Sequence, residues 1–166
     1  MNRGYTREWY LDRIAAIKRI IPNCALSTDI ITGFCGETEQ EHQETMSLLK
    51  DVGFVMAYNF KYSERPRTLA ERKYEDDVPE EVKSARLSEV IKHQRSYAGE
   101  LTKEMVGKVY RVLVEGVSKK STEKFFGRNT HNIVMVFDKG DLSLCDYVNV
   151  RALECTSATL KGEVTS

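Results

Sequence analysis

STDIITGFCGET, residues 27–38, decides how the first half of this chain is read. Its leading residues extend an apolar, β-branched run over 24–31 that predicts a buried strand. The run ends in Thr32-Gly33-Phe34-Cys35-Gly36, a loop with two glycines. Thr38 and Glu41 then form a capping-box pattern that opens a helix, with Leu48, Leu49 and Val52 inward and Gly53 as its stop. Upstream, Thr6 is placed to cap a helix over 7–21, in which Tyr10, Ile14, Ile17 and Ile21 recur at helical spacing before Pro22 ends it. Downstream, residues 54–60 predict a second strand. Helix, strand, helix, strand with short connections is the pattern of a parallel α/β sheet.

Residues 61–78 are polar, contain Pro66 and cross an acidic run, which predicts a long excursion. A helix follows, with Pro79 and two glutamates in its first turn, and Gly99 is expected to break it near Ala98. The pattern then changes. Beyond Met105 the helical period disappears, and β-rich stretches at 106–114, 133–137, 147–153 and 158–164 alternate with Gly, Asn, Asp and Ser. Four or five short strands in so few residues predict a small closed barrel of the OB-like kind, with a domain boundary near 100–104. Two or three parallel strands bury too little to stand alone, so more sheet is expected before Met1, which then reads as an internal methionine.

Lys plus Arg balance Asp plus Glu at 25 each, so no global field draws the chain to nucleic acid. The four cysteines, at 24, 35, 145 and 155, lack the spacing of zinc or iron–sulfur ligands and read as reduced thiols in a cytoplasmic protein. No metal site and no membrane span are expected. His42, His93 and His131 stand apart, without ligand spacing.

Three segments can carry chemistry. In residues 27–38, strand end and glycines allow a ligand close to the backbone, and Asp29 sits in an apolar strand where a carboxylate needs a partner. The plain alternative is a glycine turn joining strand to capped helix. FKYSERPRT, residues 60–68, puts Tyr62, Ser63, Glu64 and Arg65 after a strand, where barrel enzymes keep functional groups; the alternative is a solvated loop. Residues 118–128 hold Lys119, Lys120, Lys124 and Arg128 around Phe125-Phe126, a combination that meets phosphates and bases. The alternative there is a hairpin with phenylalanines turned inward, at least one of which is expected to be so.

MNRGYTREWYLDRI (1–14), STDIITGFCGET (27–38), YSERPRT (62–68), DDVPEEVK (76–83) and SATLKGE (157–163), in this order, resemble the radical-SAM methylthiotransferase family over nearly the whole chain. The resemblance implies an α/β fold, the C-terminal part of a TIM-like radical-SAM barrel (1–103, with a trailing linker and helix), followed by a small all-β OB-like barrel of the TRAM kind (104–166). It implies S-adenosylmethionine and [4Fe-4S] clusters as cofactors of the intact enzyme, with no cluster ligands in this chain because the family's CxxxCxxC triad is missing. Arg3, Asp29, Ile31, Gly33 and Glu37 are implied at the cofactor. Tyr62, Ser63 and Arg65 are implied near the cofactor or the target adenosine, and the TRAM barrel is implied to grip RNA, where the residue reading places Lys119, Lys120, Lys124 and Arg128. The implied activity is methylthiolation of isopentenylated adenosine beside the tRNA anticodon, by a cytoplasmic monomer, with this chain alone inactive. Alternatives are another modified adenosine, a ribosomal protein, or a non-catalytic RNA-binding fragment. Three departures stand out: Cys35 where the family has proline, and Arg67 and Cys145 at glycine-like turn places, where a left-handed backbone would cost about 1–2 kcal/mol each.

Overall fold

Thr6 accepts a hydrogen bond from the Trp9 amide and starts helix α1 (Arg7–Ile20), whose cap residue Ile21 immediately precedes Pro22. The structure, a computed structural model, describes residues 3–156 and 159–165. These form two compact units, 1–94 and 95–166.

In the first unit, strand β1 (Ser27–Thr32) is followed by helix α2 (Glu39–Val52) and strand β2 (Met56–Lys61). The capping box at Thr38 and Glu41 forms in both directions, and Gly53 closes α2 in the left-handed conformation. β1 and β2 pair in parallel, Asp29 opposite Tyr58 and Ile31 opposite Phe60. One face of this two-stranded sheet is covered. There Ile30 joins Ile14, Met46, Leu49, Val52, Phe54 and Val90 in a single core, with Ala57 packed against it. α1 and α2 are also tied by polar contacts: Arg7 reaches Ser47 and Asp51, and the Lys18 ammonium donates to the Val52 carbonyl. Residues alternate across a strand, so Asp29, Ile31, Tyr58 and Phe60 share the opposite face. That face is bare: Tyr58 and Phe60 are more than half exposed. Asp29 is exposed as well, so the buried carboxylate expected from its apolar neighbours is corrected. The strand was right, but its flank there is open to solvent.

The polar excursion contains one short helix, α3 (Leu69–Lys73), capped by Thr68. Helix α4 then runs Glu80–Glu104 without interruption. The expected break at Gly99 does not occur. A glycine inside a helix costs about 1 kcal/mol, which a long helix tolerates, and the Thr102 hydroxyl returns hydrogen bonds to the Ala98 and Gly99 carbonyls.

The second unit is a closed barrel of β3 (Val109–Val117), β4 (Lys124–Asn129), β5 (Val134–Asp138), β6 (Tyr147–Cys155) and β7 (Thr159–Thr165), ordered β3-β4-β5-β7-β6, with β6 returning to β3. All neighbours are antiparallel except β5 and β7. This five-strand closure is the OB-like arrangement expected. β3 starts three residues later than the apolar run suggested, because 105–108 turn through a left-handed Gly107. β4 emerges from the segment read as basic hairpin. Ala158, the expected start of the last strand, lies outside the described residues.

Val112, Val114, Phe125, Met135, Phe137, Val150, Ala152 and Leu160 fill the barrel interior and are all but inaccessible. A small barrel leaves little room where strands cross, and Gly127 shows how little. A Cβ built there would fall 1.9 Å from the Leu113 carbonyl oxygen and 2.7 Å from Val112. Arg67 (φ 67°) and Cys145 (φ 70°) do keep the left-handed backbone of glycine-like turns.

Candidate nucleic-acid interface

Strand alternation sorts the β4 side chains. Phe125, Gly127 and Asn129 point into the barrel, while Lys124, Phe126 and Arg128 point outward. Register then sets Phe126 beside Val136 and Arg128 beside Val134 on β5, and Val136 beside Lys161 on β7. The result is a cleft of about 760 Å³ on the outer wall of the barrel, within the size range of ligand sites. Its middle is Phe126, Val134 and Val136, and around them stand Lys119, Lys120, Lys124, Arg128 and Lys161, with the hydroxyls of Ser118, Ser121, Thr156 and Thr159. No acidic side chain is among the lining residues.

All four cations singled out in 118–128 therefore converge on one cleft, and the two phenylalanines divide, Phe125 inward and Phe126 outward. Sequence reading missed Lys161, Val134 and Val136. A signal existed for the valines. β5 reads Val-Met-Val-Phe, apolar on both faces, whereas an outer barrel wall facing only water would alternate with polar residues. Three cations are held by acids just outside the cleft: Lys124 by Asp138 at 2.7 Å, Arg128 by Glu115 at 2.5 Å and Lys161 by Glu154 at 3.1 Å. Lys119 and Lys120 make no ion pair among the described residues.

The first unit has a second polar cluster, at the C-terminal ends of β1 and β2. Gly33 is left-handed (φ 72°) and donates its amide to Glu37 Oε2 at 2.6 Å. The same oxygen takes the Arg86 guanidinium at 2.8 Å, and Arg86 also reaches the Glu37 carbonyl and Glu39. Both side chains of the Glu37–Arg86 pair are largely buried. Beside them Lys83, also buried, pairs with both Asp76 oxygens at 2.5 and 2.6 Å and lies 5.3 Å from the Tyr62 ring. Phe34 meets Tyr62 and Tyr74 edge-on. Burial pushes the Tyr62 hydroxyl up to about 12, helped by the Cys35 thiol beside it. Lys83 and Arg86 come from α4, far along the chain; Lys83 ends the DDVPEEVK segment, but nothing local ties either residue to this loop.

Of the other candidates, Asp29 and Ile31 lie on the bare sheet face, the former exposed and the latter half-buried. Arg3, Ser63 and Arg65 are exposed. The four cysteines are free thiols, and no three His, Cys, Asp or Glu side chains converge among the described residues. No described helix is long and apolar enough to cross a membrane. His42 is buried and bonds Glu89 at 2.8 Å.

Residues 103–165 match the TRAM domain. Along 98% of its length the chain is also 56% identical to the tRNA-2-methylthio-N(6)-dimethylallyladenosine synthase of Bacteroides thetaiotaomicron, of which it covers 36%. Proteins of the same name from Porphyromonas gingivalis (51% identical, 99% of the chain, 35% of the relative) and Chloroherpeton thalassium (50%, 98% and 36%) are similar throughout as well. The chain thus spans about a third of the length of these relatives. The match to them runs through both compact units, whereas the TRAM match covers the barrel and the end of α4.

Proposed function

We propose that this chain is the C-terminal, RNA-gripping part of a radical-SAM methylthiotransferase acting on isopentenylated adenosine next to the tRNA anticodon. The carrying observation is the TRAM-barrel cleft: five cations around an apolar centre, with no acid lining it, on a chain of no net charge. A local patch of this kind supplies the phosphate contacts that the global charge withholds. Lys119, Lys120, Lys124 and Arg128 are assigned to the anticodon stem-loop. Residues 1–103 are assigned to the enzyme's barrel and its trailing helix, and 104–166 to RNA binding.

The bare face of the β1–β2 sheet supports the barrel assignment. Exposed Tyr58 and Phe60 beside Ile31 are what a barrel wall presents to its lumen, and strand ends are where barrel enzymes bind ligands. S-adenosylmethionine, when bound, supplies the methyl group and, with a reduced cluster, the radical. The residues here fit a part of that site. Asp29 offers a carboxylate that no described side chain engages, next to Ile31 on the same face, and Arg3 offers an exposed guanidinium for a carboxylate. Gly33 and Glu37 serve it by shaping the loop, since the Glu37 carboxylate is already held by Arg86 and the Gly33 amide. Tyr62, Ser63 and Arg65 follow β2 and are assigned to the target nucleoside. The clusters are assigned to other parts of the intact protein, since the CxxxCxxC triad is missing from this sequence. A tRNA substrate places the enzyme in the cytoplasm, and a monomer suffices for the reading.

The test is genetic and chemical. Deleting the coding region for these residues from the gene that holds it, and analysing bulk tRNA nucleosides by mass spectrometry, should remove the methylthio group and leave the isopentenylated precursor. Unchanged methylthio content would refute the reading.

A further inference from the structure

The outer wall of a small barrel faces water on most sides, yet the middle of this cleft is a phenyl ring and two valines while the charges stand around it. Phosphates alone would need only the rim. We infer that the cleft seats one unpaired nucleotide base against Phe126, with the adjoining backbone phosphates on Lys119 and Lys120, so that the TRAM barrel takes single-stranded rather than duplex RNA. The inference rests on the RNA reading of the cleft and narrows it.

Three observations carry it. First, the aromatic residue is fixed. The far edge of the Phe126 ring lies over Gly116 of β3, where any Cβ would come within 2.9 Å of Phe126 Cε1, so the small residue beneath gives the ring its place. Second, register puts Val136 directly beside Phe126 and Val134 beside Arg128, which makes a continuous apolar floor on which a base can lie. Stacking on such a platform is indifferent to base identity, because every base has a π-face. Third, the charge is divided. Lys124, Arg128 and Lys161 are tied to acids outside the cleft, whereas Lys119 and Lys120 make no ion pair among the described residues and are free to meet a phosphate. A base still stacked within a duplex is withheld from this floor, and a duplex touches only the rim.

The full chain is titrated with a short single-stranded RNA carrying one fluorescent purine analogue, and separately with the same strand annealed to its complement. The single strand is expected to bind at least about tenfold more tightly, with the analogue quenched on binding. Phe126→Ala should weaken the single strand roughly 5- to 100-fold and abolish the quench. Phe126→Tyr, which restores a ring, should recover both. If the alanine variant fails to fold, Phe126→Leu keeps the apolar contact over Gly116 without the π-face and should show the same loss. The salt dependence of binding should be unchanged by the Phe126 variants and reduced by Lys119→Ala with Lys120→Ala. Equal binding of strand and duplex, or a quench that survives Phe126→Ala, overturns the base seat while leaving an RNA-binding barrel. Binding of neither RNA form by the wild-type chain overturns the RNA reading of the cleft itself.

Discussion

Gly33→Ala should loosen the first unit by about 2–5 kcal/mol, and the structure shows where that figure comes from. Gly33 has φ 72°, a conformation in which an L side chain costs about 1–2 kcal/mol. The new methyl would also stand 2.4 Å from Lys83 Cγ and 3.1 Å from its Cβ. These atoms lie near the root of the side chain, and Lys83 is buried with its ammonium fixed on Asp76, so it cannot simply swing away. Overpacking of this kind costs about 1–3 kcal/mol. The chain's single tryptophan, Trp9, lies on α1 in this unit, so denaturant unfolding followed by its fluorescence reports on this unit and not on the barrel. The two contributions separate in a double-mutant cycle with Lys83→Ala. With Cγ and Cδ gone and only the 3.1 Å contact to the residue-83 Cβ left, the cost of Gly33→Ala should fall to the backbone share and little more, about 1–2 kcal/mol. An undiminished cost in the Lys83→Ala background would refute the packing argument, and a cost near zero in the wild-type background would refute both parts.

Three further outcomes follow from the same geometry. Gly127→Ala should prevent the barrel from closing, with a loss of more than about 3 kcal/mol, because the intruding methyl meets backbone rather than a flexible side chain; the barrel's thermal unfolding by circular dichroism checks it. Arg67→Gly and Cys145→Gly should each stabilise by about 0.5–1 kcal/mol, the relief of left-handed strain less the extra freedom of glycine in the unfolded chain; shifts in the denaturation midpoints measure this. Tyr62 should titrate well above the ordinary tyrosine range. Its pKa is raised from 10 to about 12, so the unfolded chain gives up that proton first. Its contribution to stability is then complete below pH 10 and disappears as pH rises from 10 through 12. Tyr62→Phe should remove the late step from the tyrosinate absorbance titration and flatten this alkaline loss.

Much of the fold could be read from local chemistry. Thr6, Thr38, Glu41 and Gly53 each carry out the capping role that their residue types announce, and the apolar runs before them and after them become β1 and β2 within a few residues. Gly99 misled because a single glycine is a weak breaker inside a 25-residue helix. Asp29 misled because its apolar neighbours announce a strand but not which flank of the sheet is covered. In the cleft, Lys119, Lys120, Lys124 and Arg128 were legible because they are close in sequence. Lys161 was not, since only the parallel pairing of β5 with β7 brings it there. Arg86 and Lys83 were equally hidden. They lie about 50 residues from the loop they fasten, and nothing in the helix sequence points to that loop.

The most direct test is binding of an anticodon stem-loop RNA to the chain carrying Lys119→Ala, Lys120→Ala and Arg128→Ala together, measured over a range of salt concentrations. Loss of the phosphate contacts of Lys119 and Lys120, with any that Arg128 adds on leaving Glu115, should weaken binding strongly at low salt and lower the slope of log affinity against log salt by about 1.4–2.5. Affinity and slope equal to those of the unaltered chain would mean that RNA is held somewhere other than this cleft.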